Sequence, residues 1–122
     1  MTVLLIDTAN VLGSRPDGWW RDRAGATARL LDRVAGVDWP AVATPSGSPV
    51  DAVVAVVEGR ARDVPEPAGV RLVRAPGSGD DAIVATAAGE SDVLLVTADR
   101  GLRARLPGAE TVGPGWLWAV LD

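Results

Sequence analysis

Four carboxylates in this sequence fall where an apolar run gives way to a loop or opens a helix. Asp7 closes "TVLLID" and is followed three positions later by Asn10; Asp80 and Asp81 come directly after "PGSG"; Asp99 follows "VLLVTA". Glu58, at the end of "DAVVAVVE", is a looser fifth. The chain has no His, Lys, Cys, Tyr or Phe, and its 12 basic residues are all Arg. There is thus no imidazole base, no Ser–His dyad, no thiolate or histidine zinc ligand, no Walker lysine and no Schiff-base lysine. Any chemistry falls to Asp, Glu, Asn, Ser, Thr, Arg and the backbone. That inventory suits oxygen-liganded Mg²⁺ or Mn²⁺.

Each acid also has a purely structural role open to it. Asp7 could cap the turn that Asn10 helps to form. Asp80 is placed to be an N-cap, Asp81 to favour the positive end of the helix dipole, and Asp99 to cap the segment after it. Glu58 could be a solvated strand-end residue. Together, caps account for less. Two carboxylates about 4 Å apart repel by roughly 4 kcal/mol at an effective dielectric near 20, while one cap contributes only about 0.5–2 kcal/mol. Acids sharing one crevice without Lys or His need either protonation or a divalent cation, and the cation is the better solution. "PGSGDD" also fits the pattern of a phosphate cradle, but two aspartates in that first turn would repel the phosphate.

The elements that must position these residues follow from periodicity. "TVLLI" (2–6) is a continuous apolar run of strand length, as for a strand buried on both faces. "TANVLGSRPDG" reads as a loop, broken by Gly13, Pro16 and Gly18. From Trp19 to Ala35 the spacing turns helical, with Trp20, Ala24, Ala28, Leu31 and Ala35 as the apolar stripe, starting at Asp17 or Gly18 and ending at Gly36. Residues 37–50 are irregular, with room for one helical turn. "DAVVAVVEG" (51–59) is a second buried strand and "VRLVRA" (70–75) an alternating one at a sheet edge. "DDAIVATAAG" is a short helix, "DVLLVTAD" (92–99) a third buried strand, and "DRGLRARLPG" another short helix. "AETV" is a short last strand, and "PGWLWAVLD" a final helical turn or two. This alternation indicates an α/β sandwich around a mostly parallel sheet of about five strands. Sites in such sheets form at the carboxyl ends of strands, where these acids lie.

With 122 residues, the chain is expected to be a single domain, 1–122, with one core. No apolar run is long enough to span a bilayer. "MTVLLIDTAN" lacks a basic leader and a small-residue cleavage site, so the cytoplasm is the expected compartment. The net charge of −4 argues against a broad phosphate footprint, but not against an acidic metal pocket edged with arginine.

In this order, "DTAN" (7–10), "DDAI" (80–83) and "TAD" (97–99) resemble the PIN-like nuclease superfamily, and within it the NYN branch, whose pattern is D-x-x-N after the first strand, DD-x-I opening a central helix and T/S-x-D after the following strand. The resemblance runs from residue 2 to about 106. It implies a doubly wound sheet with helices on both faces and a Mg²⁺- or Mn²⁺-dependent ribonuclease acting on RNA, most simply single-stranded. By position it makes Asp7, Asp80, Asp81 and Asp99 the metal-site carboxylates, with Asn10 orienting Asp7 or a metal-bound water.

The loop "GSRPDGWWRDR" (13–23) leaves the strand end that carries Asp7, so Arg15 and Trp19 are candidate contacts for phosphate and base. Trp20, on the stripe, is expected to anchor the helix in the core. Arg100 could meet the scissile phosphate or sit in solvent, and Trp116 and Trp118 are expected to make packing or homodimer contacts. Two other functions stay open. One is hydrolysis of nucleotides or small phosphoesters, though not of the haloacid-dehalogenase type, which needs an Asp where Ala9 stands and a Lys. The other is an inactive module binding nucleic acid or protein.

Overall fold

The computed structural model describes residues 1–122 as five parallel strands with helices on both faces, a doubly wound α/β fold. The strands are β1 (Thr2–Asp7), β2 (Val50–Val57), β3 (Arg71–Arg74), β4 (Val93–Val96) and β5 (Glu110–Val112), in the order β3-β2-β1-β4-β5. All four pairings are parallel. The helices are α1 (Thr8–Gly13), α2 (Arg23–Ala35), α3 (Gly79–Ala88), α4 (Arg100–Arg105) and α5 (Pro114–Leu121). None is long and apolar enough to cross a membrane.

The period of two along a strand splits the core into two layers. Leu4, Ile6, Ala55, Val57, Leu94 and Val96 point to one face, under α1, α2 and α5. Val3, Leu5, Val54, Val56, Val93 and Leu95 point to the other, under Ile83 and Ala87 of α3 and Leu102 of α4. The continuous apolar runs of β1, β2 and β4 are therefore required, since a sheet covered on both sides has no wet face. β3 lies at an edge, as its alternating pattern predicts.

Two expectations are corrected. The stretch after Asp7 is the helix α1 from the outset, because Asp7 accepts from the Asn10 backbone N–H and "ANVL" buries Val11 and Leu12 before Gly13 and Pro16 act. The helix expected from Trp19 is broken: Trp19–Arg21 forms a 3₁₀ turn, and α2 starts only where Asp22 caps the Gly25 N–H at 3.0 Å. Its buried face is Thr27, Leu30, Leu31 and Val34, rather than the Ala-rich stripe through Trp20. Burying Leu and Val removes more apolar area than burying Ala, and that settles how the helix is rolled. Trp20 is 55% exposed, and Trp19 packs against the core instead.

Candidate functional site

The chain runs β1, β2, β3 in one direction across the sheet and then returns to place β4 on the other side of β1, so the order reverses between β1 and β4. A crevice opens outside the carboxyl ends of two such strands. Ile6 is paired with Val96, so the next residues, Asp7 and Thr97, come side by side there.

Thr97 is completely buried, and its hydroxyl joins the two strand ends. It donates to Asp7 Oδ2 at 2.8 Å and accepts from the Asp99 N–H at 3.1 Å. Asn10, one turn into α1, accepts through Oδ1 from the Ala98 N–H at 2.8 Å and so ties α1 to the loop after β4. Arg103 of α4 donates from Nε to the Thr97 carbonyl at 3.0 Å, and from Nη2 to the same oxygen. Asp99 Oδ1 caps α4 by accepting from the Leu102 N–H at 3.0 Å. Asp7 and Asp99 are caps, as their positions allow, yet each keeps free lone pairs for a further partner.

Asp80 and Glu58 complete the edge. Glu58, half-buried just beyond β2, accepts through Oε2 from the Gly79 N–H at the start of α3. A Cβ on Gly79 would lie 2.8 Å from the Glu58 carboxyl carbon and closer still to Oε2, so a side chain there would push the Glu58 carboxylate aside. With Ser78 as N-cap, Asp80 sits inside the first turn rather than at its start, and is not a cap. Burial foremost pushes Asp7 above its ordinary value of 3.8; the Thr97 hydroxyl and Asn10 N–H pull back, and the charges of Asp80 and Glu58 push further. Asp80 is raised too, by desolvation first and then by Asp99 and Glu58, with Arg105 opposing and Asp81 adding to the rise. Acids from four segments thus feel one another at one edge of the sheet.

The remaining candidates lie differently. Asp81 forms an exposed ion pair with Arg105 at 3.0 Å, its side chain 74% accessible. Arg15 turns toward α5, pairing with Asp122 at 2.6 Å and lying 4.0 Å over the Trp118 ring. It shares a cleft with Trp19 that none of the four edge acids lines. Arg100 is exposed at the start of α4. Trp118 is buried, and Trp116 is partly buried against Trp39, so both serve packing within the chain. Thr97, Arg103 and Gly79 escaped the sequence reading as site residues. The threonine of "TAD" was the available signal, and nothing local marked the other two.

A divalent ion suits this donor set by charge and by type: oxygen ligands, two of which, Asp7 and Asp80, are raised in part by neighbouring carboxylates, with no lysine or histidine among them. The side chains as they stand do not form a cage, since no three acids approach closely enough to hold an ion jointly.

No protein-family model matches the chain, and no curated protein matches it. Among solved structures it is similar to Rae1 (YacP) from Bacillus subtilis, seen in the crystal structure of a mutant form. The TM-score is 0.68 with 19% identity, covering 98% of this chain and 73% of that one. At that identity the likeness is one of fold.

Proposed function

We propose that this protein is a PIN-like, NYN-type ribonuclease that hydrolyses RNA phosphodiester bonds with Mg²⁺ or Mn²⁺ at the β1/β4 edge. The observation that supports the reading is the Thr97 bridge, which ties the Asp7 carboxylate to the Asp99 backbone at the switch point of the sheet, with Asp80 within the field of Asp99. The motifs "DTAN", "DDAI" and "TAD" supply the reaction class by resemblance, and the shared fold with Rae1 is consistent with it.

Asp7, Asp80 and Asp99 would hold the ion, with Asp81 from the rim as a fourth carboxylate. The ion would activate a water and stabilise charge on the phosphate. Asp7 is the fixed member. Buried and hydrogen-bonded, it keeps one orientation, while the half-exposed Asp80 and Asp99 are freer to close on a cation. Asn10 braces the β4 loop that carries Asp99. Glu58 holds the N-terminus of α3, and therefore Asp80, through Gly79. No side-chain base is required, in keeping with a chain that has no His.

The deciding experiment incubates purified protein with single-stranded RNA. Cleavage should require Mg²⁺ or Mn²⁺, stop in EDTA, and be lost in Asp7→Asn and Asp99→Asn. Cleavage that survives both substitutions defeats the proposal. A specific observation favours a second reading, an inactive binding module: the acids do not form a cage. That reading predicts RNA binding without turnover at any metal concentration.

A further inference from the structure

A positive hollow stands apart from the acids. Arg15, just after α1, and Arg29 and Arg33, four apart on α2, line one cleft of about 330 Å³ together with Trp19 and Trp118. The Arg15 and Arg33 guanidinium groups meet over Trp118 and on Asp122, and Arg29 lines the same cleft, in a chain whose net charge is −4. Asp17 shares the cleft wall and forms no ion pair. The Asp122 carboxylate is gripped at both oxygens, Oδ2 by Arg15 at 2.6 Å and Oδ1 by Arg33 at 2.9 Å. Arg33 also donates to the Leu121 carbonyl. Arg15 is laid flat on Trp118, whose Nε1–H donates to Ser14 Oγ at 2.9 Å, so this cation is already held in place. Arg29 enters none of the chain's three ion pairs.

We infer that this cleft is a phosphate subsite for single-stranded RNA, and that the Asp122 carboxylate, held by Arg15 and Arg33 beside it, competes for those two arginines in the free protein. The inference rests on the proposed nuclease reading. A carboxylate on two guanidinium groups presents the same paired anionic oxygens as a phosphodiester, and arginine is suited to both. The unpaired Arg29 supplies the extra charge that a phosphate would use and that one carboxylate leaves unmet. Trp19 forms part of the wall, and Trp20, the one exposed aromatic, meets it edge-on at 5.8 Å, so a base has a face to stack on beside the phosphate. The six residues of α1, about 9 Å of helix, separate Asp7 from the segment carrying Arg15.

The test is binding of a fluorescently labelled oligoadenylate by anisotropy, in EDTA so that neither metal nor cleavage enters. Arg29→Gln and Arg33→Gln should each weaken binding about fivefold and flatten the log–log salt slope by about 0.7. Asp122→Asn should tighten binding by a similar factor, because it removes the internal competitor. Arg29 is free of ion pairs, so its variant tests the cleft without disturbing the fold. Unchanged affinity in Arg29→Gln and Asp122→Asn overturns the inference. So does competition by inorganic phosphate or AMP as strong as that by unlabelled oligonucleotide, which would make the cleft a mononucleotide site. If the affinity shifts appear but RNA is never cleaved, the nuclease reading fails and the subsite stands. Cleavage without the shifts has the opposite meaning.

Discussion

Replacing Thr97 with valine keeps shape and burial but removes the hydroxyl that joins Asp7 to Asp99. Two hydrogen bonds go: the donation to Asp7 Oδ2 at 2.8 Å and the acceptance from the Asp99 N–H at 3.1 Å. A bond to a charged acceptor contributes about 1.5–3 kcal/mol and a neutral one about 0.5–1.5 kcal/mol, so Thr97→Val should cost about 2–4 kcal/mol. For a chain of this length the unfolding entropy is about 0.26 kcal/mol/K, which converts the loss to a fall of about 8–16 °C in Tm. Thr97→Ser keeps the hydroxyl and loses one methyl, about 1 kcal/mol, for a fall of about 4 °C. The assay is a thermal melt at pH 7 with denaturant titration alongside. The ranking is the diagnostic: wild type above Ser above Val. If Val matched wild type within about 0.5 kcal/mol, or Ser fell below Val, Thr97 would be a packing residue and the bridge would carry no energy. In an Asp7→Asn background the valine penalty should shrink, because hydrogen bonds to a neutral acceptor are roughly half as strong.

Asp7→Asn should abolish cleavage yet raise Tm at pH 7. Burial raises the Asp7 pKa, so its contribution favours the fold only below the unfolded value of 3.8, and is lost as pH rises through the folded value. Melts from pH 3 to 8 should show the Asn advantage vanish at the acid end; an advantage that persists there rejects the burial argument. Gly79→Ala should displace Glu58 and lose its charged hydrogen bond, partly offset by the better helix propensity of alanine, for a net cost of about 1 kcal/mol and a Tm about 4 °C lower. An alanine variant as stable as wild type would show the contact to be idle. Mn²⁺ at 100 times its dissociation constant should stabilise the fold by about 2.7 kcal/mol, about 10 °C, reversed by EDTA. No shift in wild type at any Mn²⁺ concentration would remove the metal from the proposal.

Much of this architecture is written locally. The apolar runs of 2–6, 52–57 and 93–96 announce strands covered on both faces, the turn residues separate them, and an acid stands at or just past the end of each. Absent histidine and lysine already narrow the chemistry to oxygen ligands. Where local pattern misled, a competing term won. Trp20 fits a helical stripe in spacing, but Leu30 and Val34 offered more area to bury and rolled α2 away from it. The loop after Asp7 contains breakers, but the Asp7 cap and two buried residues close a turn before they act.

Only the tertiary structure could decide which polar groups meet. Thr97 reaches Asp7 across 90 residues, Arg15 reaches Asp122 across 107, and Arg105 reaches Asp81 across 24. Periodicity describes which way a side chain faces along its own helix or strand. Hydrogen bonds and charge pairs depend on atoms brought within a few ångströms by the order of strands in the sheet, and that order is fixed by packing of the whole chain.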